Sequence, residues 1–227
     1  MERLHSKEYA HARDRIIELV KGLTDEELDT RVPACPEWRV RDVVAHVAGL
    51  TTDVLAGKIE AYGSEKWTGT QVAERKDRSI DEVIAEWQSN AEHYDGLLEA
   101  QPGFLPMITT ADVVTHEQDI RGALGKPGAR DAEGVRIGVK TYVGRLRQNM
   151  EGLPPLKVVA DGYRDFMVGQ GEPAASVSAE TYEMFRALGG RRTEEQVRGY
   201  DWTGDPGPYL AKWLSGPFDW AAAPSTD

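Results

Sequence analysis

Two residues one helical turn apart, Asp112 and His116, are the strongest candidates for chemistry in this 227-residue chain. At i and i+4 of a helix, side chains lie one above the other on a single face, where a carboxylate and an imidazole can share a metal ion. Asp119 continues the polar stripe, and apolar residues flank it on both sides, so the pattern predicts that the stripe faces the interior. Glu117 and Gln118 fall on the opposite arc, which we expect to face solvent.

A metal site needs more than two ligands, and His46 is the best candidate for the third. It lies at the edge of the apolar stripe of another predicted helix, so its ring points into a helix bundle. Two histidines and one carboxylate leave a coordination position open, which is typical of a catalytic rather than a structural zinc. Spacing alone leaves an alternative: Asp112 and His116 form a buried hydrogen-bonded pair, and His46 is an ordinary core histidine.

Composition and charge limit the possible function classes. The net charge of -11 and the pI near 5.0 argue against nucleic acid or an anionic membrane as a partner, because both require a basic face. No window approaches 18 apolar residues and the N-terminus lacks the apolar core of a signal peptide, so we expect a cytoplasmic protein. The single cysteine, Cys35, excludes an intrachain disulfide. We expect a monomer or a homodimer.

Apolar periodicity and helix-start signals predict an N-terminal bundle. The predicted helices cover residues 6–23, 38–62, 80–98, 109–124 and 134–151. The polar segment 63–78 is predicted to be a loop that either covers the mouth of the site or only packs through Trp67. Two consecutive prolines at Pro154 and Pro155 predict a linker, which divides the chain into domains 1–151 and 156–220.

The second domain is predicted to be a small α/β unit. Its β-like runs are residues 156–160, 165–169 and 175–179, followed by helices at 181–188 and 208–214. Gly and Pro turns separate the runs, which favours a small sheet. We therefore expect two domains of different class within one chain.

Three segments carry a family resemblance. They are residues 32–46 with Cys35-Pro36-Glu37-Trp38, the stretch Asp112-x3-His116-Glu117-x-Asp119, and residues 177–192. Together they resemble the mycothiol-dependent maleylpyruvate isomerase family, a branch of the DinB-like metalloenzymes. The resemblance implies an α+β protein with an N-terminal DinB-like up-and-down helix bundle followed by a small sterol-carrier-like α/β domain. It also implies that His46, Asp112 and His116 hold a divalent metal, most often zinc, although relatives often have Glu in place of Asp112.

The resemblance further implies a thiol mechanism. Mycothiol, a low-molecular-weight thiol cofactor, binds the metal, and its thiolate attacks a small electrophilic substrate, as in a cis-trans isomerase or an S-transferase. Asp119 is expected to orient the ring of His116 from behind; the alternative is a surface carboxylate paired with a neighbouring Lys or Arg. No catalytic residue beyond the metal ligands is identified.

Two positions and two further function classes stay open. Many relatives have an arginine where this chain has Pro217, which weakens the specific prediction of a maleylpyruvate isomerase, although Arg191 or Arg192 could replace that cation. Cys35 is assigned to packing, with a fourth ligand or a nucleophile as alternatives. The other function classes are a hydrolase that uses zinc-bound water and a non-catalytic metal-binding protein of the same fold.

Overall fold

The computed structural model describes residues 2–215 and 218–225. It confirms the predicted fold class, because a helical N-terminal region is followed by a small sheet domain, with 55% helix and 12% strand. Contacts divide the chain into a first unit that ends at Gly128 and a second unit that begins at Ala129. In the described part of the chain, no helix is both long and apolar enough to cross a membrane.

The first unit is a bundle built on four long helices. Its elements are α1 (Glu2–Val20), α2 (Asp25–Leu28), β1 (Arg31–Val32), β2 (Cys35–Arg39), α3 (Val40–Leu55), α4 (Glu65–Ala73), α5 (Ile80–Ala100) and α6 (Phe104–Leu124). α1 and α3 each pack against both α5 and α6. Ile16, Val47, Trp87 and Ile120 supply fully buried side chains, one from each of these helices. This core holds α3 and α6, the two helices predicted to carry the site, side by side.

The helix ends follow local signals. A capping box starts α5, since the Ser79 side chain accepts from the Glu82 backbone and the Glu82 carboxylate accepts from the Ser79 N–H. α3 ends at Leu55, seven residues earlier than predicted, and Gly57 follows with a positive φ of 73°. α6 begins at Phe104, five residues earlier than predicted. Pro106 lies in its first turn, where a missing N–H removes no helical hydrogen bond.

The segment predicted to be a loop contains a helix. α4 begins after Ser64, whose side chain accepts a hydrogen bond from the backbone N–H of Trp67. It packs closely on α3 at Gly49, where an added Cβ would lie 2.8 Å from Cβ of Gln71. The apolar pattern of α4 is too weak to predict this helix from the sequence, because its main buried residue is the polar Gln71.

The expectation that Glu117 and Gln118 face solvent is wrong, because both are buried. The Glu117 carboxylate accepts two hydrogen bonds from Arg15 of α1, at 2.8 and 2.7 Å, and one from Arg121 at 2.9 Å. Gln118 donates from Nε2 to the carbonyl of Gly128 at 3.2 Å. A charged residue can be buried when opposite charges pair with it. Helical periodicity cannot reveal such a partner on another helix.

The second unit is a small mixed sheet with helices. Its elements are α7 (Glu133–Asn149), β3 (Leu156–Asp161), β4 (Arg164–Val168), β5 (Ala175–Glu180), α8 (Thr181–Leu188), α9 (Glu194–Arg198), β6 (Asp201–Thr203) and α10 (Gly207–Leu210). The strand order is β4-β3-β5-β6, with β3 parallel to β5 and the other pairs antiparallel. The three predicted strands are present within one residue at each end. β6 was not predicted, since three residues are too short for an alternating pattern.

The division between the units differs from the predicted linker. We expected α7 to complete the bundle, whereas contacts assign it to the second unit, where it packs against α8 and β4. The ring of Tyr142 on α7 stacks on Phe185 of α8, with centroids 5.8 Å apart. Gly138 allows this approach, because a Cβ there would lie 2.2 Å from the Phe185 ring. The apolar face of α7 gave no indication of which partner covers it.

Candidate metal centre

His46, Asp112 and His116 converge inside the first unit. His46 lies on α3, and Asp112 and His116 lie one turn apart on α6. The two histidines are 3% and 6% exposed. The side chain of Asp112 is 29% exposed, so solvent reaches the group on the carboxylate side.

The distances within this group suit ligands around one ion. Nε2 of His46 lies 3.6 Å from Oδ2 of Asp112, and Nε2 of His116 lies 3.6 Å from Oδ1. Neither contact is short enough for a hydrogen bond. Ligand atoms about 2.0–2.1 Å from a tetrahedral zinc lie about 3.3 Å from one another, close to the observed spacing. The two imidazoles meet edge to face, with centroids 5.0 Å apart, and all three ligand atoms lie within 4.8 Å of one another.

Asp119 holds His116 from the opposite side of the ring. Its Oδ2 lies 3.1 Å from Nδ1 of His116, and the side chain is almost fully buried. An ionised carboxylate can only accept, so Nδ1 of a neutral His116 carries the hydrogen and Nε2 keeps its lone pair. The lone pair is therefore on the nitrogen that faces Asp112. A carboxylate in this position is the usual partner of a metal-binding histidine.

Cys35 approaches the same carboxylate. Its thiol donates to Oδ2 of Asp119 at 3.8 Å, a contact within the longer range of sulfur hydrogen bonds. Cys35, Asp119 and His116 also form a second group whose ligand atoms lie within 4.8 Å of one another. These atoms are on the Nδ1 side of His116, where a hydrogen bond already joins the ring to Asp119. We therefore place Cys35 behind the histidine and outside the group centred on Asp112.

His46 has its own buried partner, which sequence analysis missed. Oε1 of Gln71 lies 2.7 Å from Nδ1 of His46, and Nε2 of Gln71 donates to Oδ2 of Asp53 at 2.8 Å. Gln71 is fully buried and Asp53 nearly so. The seven-residue spacing from His46 to Asp53 places both on one helix face, which was the only local signal for this contact.

Trp38 lies near both histidines, and two buried tyrosines lie within electrostatic range of Asp112. The Trp38 ring lies 5.2 Å from the His46 ring and 6.2 Å from the His116 ring, measured between centroids. Tyr9 and Tyr94 are buried against each other, with centroids 4.9 Å apart. Burial raises the pKa of both phenols, and the negative charge of Asp112 raises each pKa further, so both stay neutral at physiological pH.

The arginines considered as substitutes for a substrate-binding cation belong to the second unit. Arg192 is fully buried and donates to both oxygens of Glu183, at 2.7 and 2.8 Å. Arg191 donates to the carbonyl of Gly189 at 2.8 Å. These contacts support the second unit itself. Pro217 lies outside the described residues.

The family model described as "Mycothiol maleylpyruvate isomerase N-terminal domain" matches residues 9–121, a span that includes every member of the group above. The fold is similar to the crystal structures of the mycothiol-dependent maleylpyruvate isomerase and of a histidine-to-alanine mutant. Each has a TM-score of 0.60 and 12% identity, and the match covers 89% of this chain and 93% of the other.

At 12% identity these structures show a shared fold and no more. A search of curated proteins gave no significant sequence match. The family match is to sequence and covers the helices that carry the site. The chain therefore belongs, through its N-terminal unit, to the mycothiol maleylpyruvate isomerase N-terminal domain family.

Proposed function

We propose that this protein is a metal-dependent thiol enzyme of the isomerase or S-transferase type. Its ligands for a divalent ion, with zinc as the first candidate, are His46, Asp112 and His116. The observation that carries the proposal is the geometry of the ligand set. Two Nε2 atoms with available lone pairs lie 3.6 Å from the two oxygens of one carboxylate. The family match over residues 9–121 supports the same assignment.

The donor set fits zinc in type as well as in spacing. Two neutral imidazoles and one carboxylate are common zinc ligands, and three protein ligands leave a position for a further molecule. A divalent ion held there would lower the pKa of a thiol or water bound in that position. Asp112, the most exposed of the three, marks the side from which such a molecule enters. The Trp38 ring lies beside both imidazoles, on a neighbouring strand.

The thiol and the substrate class follow from the relatives. The names of these relatives specify mycothiol and maleylpyruvate. We carry over the thiol and propose a small electrophilic molecule as the second substrate, without assigning maleylpyruvate itself. A cytoplasmic location and a monomeric or homodimeric state also remain predictions.

The test compares two variants of the purified protein. His116→Ala removes a ligand, so it should abolish both zinc content, measured by elemental analysis, and mycothiol-dependent loss of an electrophile, measured by mass spectrometry. Cys35→Ala is the matched control, because it removes a thiol that makes a weak hydrogen bond to Asp119 and lies outside the proposed ligand set, so it should retain most of both.

Four results would contradict the proposal. Activity that persists after the metal is removed, or that disappears in Cys35→Ala while zinc stays bound, would make the protein's own thiol the nucleophile. Turnover without any added thiol would favour a hydrolase. Full zinc occupancy without turnover of any electrophile would favour a non-catalytic metal-binding protein.

A further inference from the structure

A buried amide connects His46 to a second carboxylate. Gln71 reaches from α4 to Nδ1 of His46 on α3, while its nitrogen donates to Asp53 on the same helix as His46. All three side chains are buried. Nζ of Lys58 lies 3.9 Å from the other oxygen of Asp53, which places a positive charge beside this carboxylate.

The direction of these hydrogen bonds follows from Asp53. An ionised carboxylate has no hydrogen to donate, so the NH2 group of Gln71 must face Asp53. The carbonyl oxygen of Gln71 then faces His46, and a carbonyl can only accept. Nδ1 of a neutral His46 must therefore carry the ring hydrogen, which leaves the lone pair on Nε2, 3.6 Å from Asp112.

The backbone around Gln71 is held close to α3, which allows this contact. α4 approaches α3 at Gly49, where any side chain would collide with Gln71 and with Arg75. Nη1 of Arg75 donates to the carbonyl of Gln71 at 2.9 Å, and Nε of the same arginine donates to Glu86 of α5 at 3.0 Å. Gln71 is therefore held by its backbone as well as by its amide.

We propose that Gln71 and Asp53 are positioning residues that fix His46 as the tautomer with hydrogen on Nδ1 and so prepare Nε2 to bind the metal. This inference rests on the proposed metal centre for its purpose. The tautomer itself is a property of the metal-free protein and can be measured there. Asp119 performs the equivalent task for His116, so each histidine has its own buried acceptor from a different part of the unit.

The experiment measures the tautomer and the zinc affinity separately, in the full chain. Two-bond 15N–1H spectra of the metal-free protein distinguish hydrogen on Nδ1 of His46 from hydrogen on Nε2. Zinc affinity is measured by competition with a chromophoric chelator. In Gln71→Leu, the Nδ1–H signature should be lost and zinc affinity should fall about 10- to 100-fold, as for other partners of metal-bound histidines.

Asp53→Asn isolates the direction of the hydrogen bonds. The new amide has the shape of the carboxylate but can either donate or accept. The Gln71 amide can therefore rotate by 180° and donate to Nδ1 of His46, which allows the tautomer with hydrogen on Nε2. We expect a mixture of tautomers and a smaller loss of zinc affinity. Adding Gln71→Glu to Asp53→Asn restores the direction, because the Glu carboxylate accepts from both neighbours. This double variant should return to a single Nδ1–H tautomer.

The outcomes separate this inference from the proposed function. The inference is overturned, even if zinc binds, when His46 of the wild-type protein carries its hydrogen on Nε2. It is also overturned when Asp53→Asn keeps the single wild-type tautomer. Unchanged zinc affinity in Gln71→Leu would overturn the link to metal binding. A tautomer that responds as expected in a protein that does not bind zinc would support the positioning of His46 and refute the metal centre.

Discussion

The close approach of α4 to α3 makes Gly49→Ala a quantitative test of the site's support. An added Cβ would lie 2.8 Å from Cβ of Gln71, whereas carbon atoms pack best at about 3.5–4.0 Å. Gln71 would therefore have to move by about 0.7–1.2 Å. If the shift is fully transmitted, the 2.7 Å contact with His46 lengthens to about 3.4–3.9 Å, beyond the range of a hydrogen bond.

The same geometry sets the expected change in stability. Overpacking a core contact costs about 1–3 kcal/mol, and replacing Gly by Ala inside a helix contributes about 1 kcal/mol in the other direction. We expect the free energy of unfolding to fall by about 0–2 kcal/mol, together with a drop in zinc affinity. Gly69→Ala is the matched control, since Gly69 lies in α4 with nothing within 4 Å of an added Cβ. It should stabilise by up to about 1 kcal/mol and leave zinc affinity unchanged.

Urea denaturation of the metal-free protein gives the free energies, and chelator competition gives the zinc affinities. The two variants should separate in both assays, with Gly49→Ala below wild type and Gly69→Ala at or above it. If Gly49→Ala matches Gly69→Ala in both, then α4 does not rest on Gly49 and Gln71 is not held where the structure places it.

Three further predictions concern the site and its scaffold. Asp119→Asn should lower zinc affinity, measured by chelator competition, about 10- to 100-fold. An unchanged affinity would show that Asp119 does not orient His116 for metal binding. Burial raises the pKa of Glu86, but hydrogen bonds from Arg75 and Thr52 outweigh it and the net pKa is lowered. The stabilisation that Glu86 contributes is then present above its unfolded value of about 4.3 and lost as pH falls through the folded value. Glu86→Gln should flatten the loss of stability in acid, as followed by urea midpoints between pH 3 and pH 7; an unchanged slope would contradict this. A fragment ending at residue 128 should be helical by circular dichroism and bind zinc. A fragment ending at residue 151 should also be helical and bind zinc, but it should be less soluble, because the face of α7 that packs against α8 would be exposed. Equal solubility of the two fragments would favour the linker predicted from the sequence.

Local signals in the sequence were sufficient for most of the helices and strands and for the candidate ligands. The i, i+4 spacing of Asp112 and His116 selects one helix face without any knowledge of the fold. The position of His46 at the edge of an apolar stripe indicated an inward ring, and the structure brings it to the other two residues. The sequence contains capping-box patterns at Thr24, Ser79 and Thr193, and each of them starts a helix in the structure, since a cap involves only four consecutive residues.

The partners of buried polar groups were decided by tertiary structure alone. Gln71 and Glu117 are polar residues whose sequence neighbours predict exposure, yet each is fully buried by contacts with another helix. The hydrophobic pattern also could not show that α7 belongs with the second unit, because an apolar face indicates burial and does not specify the surface that covers it. The i, i+4 spacing and the apolar stripes were enough to single out His46, Asp112 and His116 as candidate ligands. Only the packing of α4 on Gly49 places Gln71 against His46, since that contact exists only once both helices are in place.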